Sequence, residues 1–359
     1  MSGGSREISH TGGEGIRRLT AAWASPGHRP EDRAAMLGGL VLVILLVAAA
    51  GAATLLSAPA DHKNLPTDHD YVAFNGMPLP PFVPSAGPDA STGSFVSACG
   101  LNMQHHQNAD NVISSPRTPG AAHHAHEYVG NLSTDAFSTN GTLAAAGTTC
   151  SNGDLSVYYW PVLRVLPSQD GAAVTHQAGR DSEAPDGNAG TRVPPTTVLV
   201  EFRGNATRQV VAMPRFLRIV TGDAHAATAG AGALGRARWS CSGLPDRYIQ
   251  LYPLCPQGLQ VVRTFDYPSC WDGRRIDSDN HRRQVVFPAG NGGCPGDTVP
   301  VPQLRLRVAY TVPPGRSFAI DTFPDQRRSP TTDHADFINV MPDALMHRVV
   351  ACVNGGRRC

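Results

Sequence analysis

The sequence nearly lacks lysine. Lys63 is the single one among 359 residues, so the basic side chains are almost all arginine. Charged residues make up only 16 % of the chain, which is low for a soluble cytosolic protein. Net charge is +1, and no basic stripe interleaved with aromatics occurs. Both facts argue against a nucleic-acid partner. Dinucleotide and P-loop glycine patterns are missing. G-x-S-x-G is missing too, so Ser/His/Asp catalysis has no support. No C-x-x-C or other compact zinc spacing appears, and no internal repeat is present. With 37 glycines and 30 prolines, the chain favours loops and strands over helices.

One long stretch lacks charge altogether. Residues 34–60 read AAMLGGLVLVILLVAAAGAATLLSAPA, and about 20 apolar residues span a bilayer core as a helix. Arg6, Arg17, Arg18, Arg29 and Arg33 precede it, which sets the N-terminus inside. The expectation is a single-pass cell-membrane anchor over 34–57, with the C-terminal domain extracytoplasmic. The runner-up is secretion after signal cleavage at Ala58-Pro59-Ala60. All eight cysteines (Cys99, Cys150, Cys241, Cys255, Cys270, Cys294, Cys352 and Cys359) follow this run. An even number in an exported segment predicts disulfides. Sequential pairing is the simplest of the possible connectivities, because short loops close most easily.

The expected organisation is a disordered cytoplasmic tail over 1–33, the transmembrane helix over 34–57 and a Pro/Gly-rich linker over 58–94. An exported β-rich domain follows over 95–359, with loop insertions at 168–194 and 222–236. Residues 304–312, LRLRVAYTV, alternate as a half-buried strand does. Residues 154–166, 196–202 and 283–288 are further β-branched or aromatic runs, while 208–222 is ambiguous because Pro214 interrupts it. Many short strands between Gly/Pro turns predict a mostly β domain, a β-sandwich or a jelly-roll-like fold.

Three polar stretches carry candidate chemistry. In GAAHHAHEYVGN, an extended backbone puts His124 and His126 on one face. Two imidazoles so placed suit a metal or proton transfer. Further ligands would come from elsewhere: His105, His106, Asp110, His281, His334 or Asp336. The second stretch, 265–288, holds a Cys270-Trp271-Asp272-Gly273 turn followed by Asp277, Asp279 and His281. In the third, 331–345, His334 and Asp336 again alternate. A surface loop is the plain alternative for the third, and turn-bracing for the histidines.

These stretches resemble a family of exported bacterial and fungal proteins catalogued as domain of unknown function nineteen ninety-six. The resemblance runs from about Ser94 to Cys352. A D-P-I-x-x-P-G-x-x-[AS]-S-H-x-H-x-[FV]-x-G motif matches at Asp110, Ile113, Pro116, Gly120, His124, His126 and Gly130, followed by Asn131. S-C-W-D-G falls on Ser269 to Gly273, D-x-H on Asp279 and His281, and H-A-D-F on His334 to Phe337. The chain departs from the pattern at Asn111, usually Pro, and at His123, usually Ser. The resemblance implies export, a mostly β domain and a polysaccharide setting, because some fungal members look fused to carbohydrate-binding modules.

The leading expectation is therefore a membrane-anchored domain that acts on or binds cell-envelope or environmental polysaccharide through a His-rich cleft. His124, His126, His281 and His334 would line it and hold a divalent metal. Catalytic candidates are those four with Asp110, Asp279 and Asp336; Glu127 is a further acid/base candidate. The alternative is a non-catalytic wall-binding or structural module with metal-binding or loop-bracing histidines. An oxidative copper site is disfavoured because no histidine sits at a free mature N-terminus.

Overall fold

A computed structural model of the chain describes residues 65–75, 83–166, 187–230 and 236–359. The expected tail, the expected spanning segment and part of the expected linker lie outside these residues. Among the described residues, no helix is long and apolar enough to cross a membrane. The chain is mostly β, as composition and patterning predict.

Ten strands build the two largest sheets: β1 Ser94–Ser97, β2 Gln107–Asn108, β3 His126–Gly130, β4 Val157–Pro161, β5 Thr197–Arg203, β6 Arg218–Gly222, β7 Trp239–Cys241, β8 Val261–Asp266, β9 Gln303–Tyr310 and β10 His334–Ile338. The first sheet has the order β7-β8-β9-β5-β1, the second β2-β3-β4-β10-β6. Every pairing in both is antiparallel.

Side-chain alternation decides which face each strand buries. On β9, Leu304, Leu306, Val308 and Tyr310 enter the core, while Gln303, Arg305 and Arg307 stay partly exposed. On β4, Tyr158 and Trp160 join that core and Val157 and Tyr159 a second, smaller cluster. Both sheets feed the larger core: Val200, Phe202 and Phe265 from one, Val129, Trp160 and Phe337 from the other. Trp160 Nε1 donates across it to the Tyr310 hydroxyl at 2.7 Å. Each fully buried Leu, Val or Phe stabilises by about 1.5–3 kcal/mol. Leu345, Met346, Val349 and Val353 of the helix Asp343–Asn354 complete this core. The smaller cluster covers the other face of the second sheet with Val112, Ile113 and Leu143.

The four disulfides are Cys99–Cys150, Cys241–Cys255, Cys270–Cys294 and Cys352–Cys359, the sequential pattern, and no cysteine is free.

One sequence expectation changes and one alternative falls. The expected linker contributes to the fold, because Tyr71–Ala73 pairs in parallel with Tyr252–Leu254 and Tyr71 enters the core. The folded body thus begins before residue 95. Residues 334–338 are not a surface loop but a buried strand between β4 and β6. The expected insertion at 168–194 is described only from 187, where Thr191–Val193 forms a strand.

Candidate metal centre

The outer face of the second sheet is where the histidines meet. On β10, Ala335 and Phe337 point to the core, so His334 and Asp336 point outward. On β3 the same parity sends His126 and Tyr128 outward, toward the smaller cluster, and Val129 inward. His123 turns the chain at φ 55° just before, and His124 then lands beside His126. Ala125, between them, is clamped from both sides. Its N–H reaches Asp321 Oδ2 at 3.4 Å and its carbonyl accepts from Val162 N at 2.9 Å. Asp321 is itself held by Arg164 at 2.7 and 3.0 Å.

Three ring nitrogens converge. His124 Nε2 lies 3.1 Å from His126 Nε2 and 3.3 Å from His334 Nε2, and the last two are 3.5 Å apart. Three nitrogens bound to one ion at 2.0–2.1 Å with tetrahedral angles stand about 3.3 Å apart. The triangle thus has the size of three corners of a zinc-type tetrahedron, with a fourth corner left for another ligand.

Tautomers follow from the partners. His126 Nδ1 donates to the Asp110 carbonyl and His334 Nδ1 to the Thr332 carbonyl, both at 2.9 Å. A carbonyl only accepts, so each Nδ1 carries the proton and each Nε2 presents a lone pair. Backbone carbonyls in this role orient metal-ligating imidazoles. His124 Nδ1 has the Ala122 backbone beside it, which favours the protonated ring, but no hydrogen bond of full geometry reaches it. Burial holds all three rings neutral. It lowers His126 to about 4 and His334, with added repulsion from His126, to about 3. His124 falls well below 6.5 by burial and then by repulsion from the other two. Gly222 makes room for His334: its φ is +78°, and a Cβ there would stand 2.2 Å from the Asp333 carbonyl oxygen and 2.7 Å from His334 Cα.

The triad forms the floor of a cleft of about 320 Å³. His124 and His334 line it, with His126 buried beneath them. Phe323 packs edge-on against His124, with ring centroids 5.1 Å apart. Asp336 lies on the wall. Its Oδ2 accepts from Asn111 Nδ2 at 3.3 Å, while its buried Oδ1 has no partner. Burial raises this carboxyl to about 6 against the pull of Arg282, Tyr159 and Asn111. Asn111 also takes the Tyr159 hydroxyl at 3.0 Å.

The remaining sequence candidates divide. His281 lines the cleft, but its nitrogen is not one of the three that converge. Its Nδ1 donates to Asp277 Oδ1 at 2.8 Å, and its backbone is left-handed at φ 55°. Asp279 is exposed and outside the cleft lining; Asp277 takes the place beside His281. Asp110 spends its carboxylate on the N–H groups of Gly120 and Ala136, at 2.8 and 2.9 Å. It serves the site through its carbonyl. Glu127 faces away from His126, toward Asn102. His106 Nε2 donates to the Thr134 carbonyl, 2.8 Å away, and His105 is exposed. His225 and Arg282 join the cleft unforeseen. His225 sits in a Gly/Ala-rich loop with no pattern around it, whereas Arg282 adjoins a residue already singled out.

No curated protein and no solved structure matches this chain. One family does, over residues 112–340, a span that holds the triad, Asp277, His281 and Asp336. That span is more than half of the sequence, and the chain belongs to the family described as a domain of unknown function, DUF1996.

Proposed function

We propose that this protein is a metal-dependent extracytoplasmic protein that acts on polysaccharide, tethered to the membrane by residues 34–57. The observation that carries the reading is the convergence of three buried Nε2 atoms, two of them on rings whose Nδ1 protons are committed to backbone carbonyls. The facing lone pairs of His126 and His334, 3.5 Å apart, repel unless a cation or a shared donor lies between them. Histidines that merely brace loops would turn those nitrogens to loop donors instead.

His124, His126 and His334 would hold a divalent ion, which would supply Lewis acidity at the cleft floor. The chain's own groups handle the rest. Asp336, with its unpartnered Oδ1, accepts a proton on the cleft wall. His281, oriented by Asp277, presents its other ring nitrogen for proton transfer. Phe323 limits water at His124. Four disulfides fit an oxidising compartment, and protease applied to intact cells is expected to remove the domain and leave a short N-terminal stub.

Metal analysis of the purified protein tests the centre. One equivalent of a zinc-type ion is expected in the wild type and in His281→Ala, and none in His124→Ala. A metal-free wild type that takes up no ion on dialysis would overturn the reading.

A further inference from the structure

The outer face of the first sheet carries an open groove of about 920 Å³. Arg203, Arg236, Arg238, Arg305, Arg307 and Arg358 line it, against Glu201 and Asp246. Strand register puts several of these together: Arg203 stands opposite Gln303 on β9, and Arg305 opposite both Glu201 and Asp266.

The guanidinium groups fall into two sets. Arg305 grips Asp266 with two bonds of 2.6 and 2.8 Å, Arg238 pairs with the same carboxylate, and Arg307 bonds Asp246 at 2.6 Å. Arg203, Arg236 and Arg358 have no ion pair among the described residues. Arg236 instead lies flat over the Phe287 ring, 3.7 Å from its centroid. Burial and the neighbouring Arg305 hold Arg203 below its ordinary range, and burial and Arg238 do the same to Arg236. Uncompensated guanidinium groups crowded together attract anions, and their fork matches a carboxylate.

The groove also leads somewhere. Arg236 and Phe287 line both it and a smaller hollow of about 160 Å³. Val220 and Arg282 line both that hollow and the histidine cleft. Arg282 is anchored to the Gly222 carbonyl at 2.7 Å, and its charge acts on both His334 and Asp336. An arginine is thus shared by each neighbouring pair of these three hollows, which together form a track of adjoining sites from the first sheet's outer face to the triad.

We infer that this track binds a carboxylated polysaccharide, with uronate carboxylates on Arg203 and Arg236 and the chain led past Arg282 to the histidine cleft. A concave, extended groove fits a chain better than a membrane plane. The disulfides set the domain in a compartment where nucleic acid is not the ordinary ligand, and Phe287 alone is too little for stacking successive bases. The far end of the track rests on the metal-centre reading; binding in the groove does not.

The test titrates the full-length protein with a galacturonate hexamer, its methyl ester, and a single-stranded DNA oligomer of equal charge, at low ionic strength. Expected is binding of the free acid that weakens as salt rises, with the ester at least about tenfold weaker. Arg203→Gln and Arg236→Gln should each cost about tenfold, with unfolding temperature and metal content unchanged. Metal content, measured on the wild type and on both arginine variants alongside the titrations, reports the histidine centre, so failure of the metal centre and failure of the groove read out separately. Equal affinity for acid and ester, unaltered affinity in the Arg203→Gln/Arg236→Gln double variant, or tighter binding of DNA would each overturn the proposal.

Discussion

The Arg263 guanidinium closes on both carboxylate oxygens of Asp333, the residue just ahead of His334. Arg263 belongs to β8 of the first sheet, and it also donates to the Pro161 carbonyl on β4 at 2.7 Å. One side chain therefore ties the first sheet to the strand that delivers His334 to the histidine triad. Both partners are almost wholly buried. Removing Arg263 strands Asp333 without a counter-charge, and breaking such a pair costs about 3–5 kcal/mol. Arg263→Leu should lose that much in urea unfolding; a loss under about 1 kcal/mol would show that the pair is dispensable.

Gly222 is expected to be intolerant of any side chain. Its left-handed backbone and its closeness to Asp333 and His334 leave a methyl no space. Gly222→Ala should destabilise by about 1–3 kcal/mol. It should also weaken zinc binding, because the clash falls on the His334 backbone. Titration calorimetry that finds wild-type zinc affinity in this variant would refute the link.

Metal removal should be visible as stability. An ion that binds only the folded chain adds about 2.7 kcal/mol at a hundredfold excess over its dissociation constant. Chelator should lower the unfolding temperature of the wild type and leave His126→Ala unmoved. An identical drop in both would point to metal bound elsewhere.

Glu127 gives a pH signature with a defined sign. Burial raises its folded-state pKa from 4.5 to about 7, against the hydrogen bond from Asn102. Its Oε2 has no partner. The folded chain therefore holds a proton that the unfolded chain has released between pH 4.5 and about 7. This group's contribution to stability is full below 4.5 and is lost as pH rises to about 7. Glu127→Gln, which stays neutral, should gain on the wild type across that window, reaching on the order of 3 kcal/mol above it. Parallel stability–pH curves for the two proteins would contradict this.

The Cys270–Cys294 disulfide closes the segment that carries Asp277 and His281. Its sequence separation is 24, and a loop of that length is worth about 3 kcal/mol by closure entropy. Cys270→Ser/Cys294→Ser should unfold earlier and should still bind one metal ion, since the triad lies outside the loop. Loss of metal from the double variant would mean that the loop supports the triad after all.

Much of this was legible in the sequence where a simple period survived. LRLRVAYTV alternates because one face of β9 meets the core and the other meets solvent. The His124–Ala125–His126 step brings its two rings together, with Nε2 atoms 3.1 Å apart, but not as one strand: the strand starts at His126, and His124 lies in the bend before it. His334–Ile338 was harder, because both its faces are buried. His334 and Asp336 alternate with the core residues Ala335 and Phe337, but the run is short and follows a polar turn, so a surface loop stayed open as the alternative. The choice between Asp277 and Asp279 was invisible as well. It depends on the left-handed turn at His281, which no spacing rule predicts. The outward arginines of β9 were plain in the sequence, but their convergence with Arg203 and Arg236 needed the register of three strands.

His126 and His334 are separated by 208 positions in the chain. The two-histidine half of the triad emerges early in synthesis, and the third ligand comes only near the end. An unfinished or half-folded chain can offer an ion no more than a weak two-point hold. Tight capture waits until β10 slots between β4 and β6. An ion held by these three histidines would thus be drawn from whatever metals surround the chain at the moment folding finishes, and not from those it met while being made.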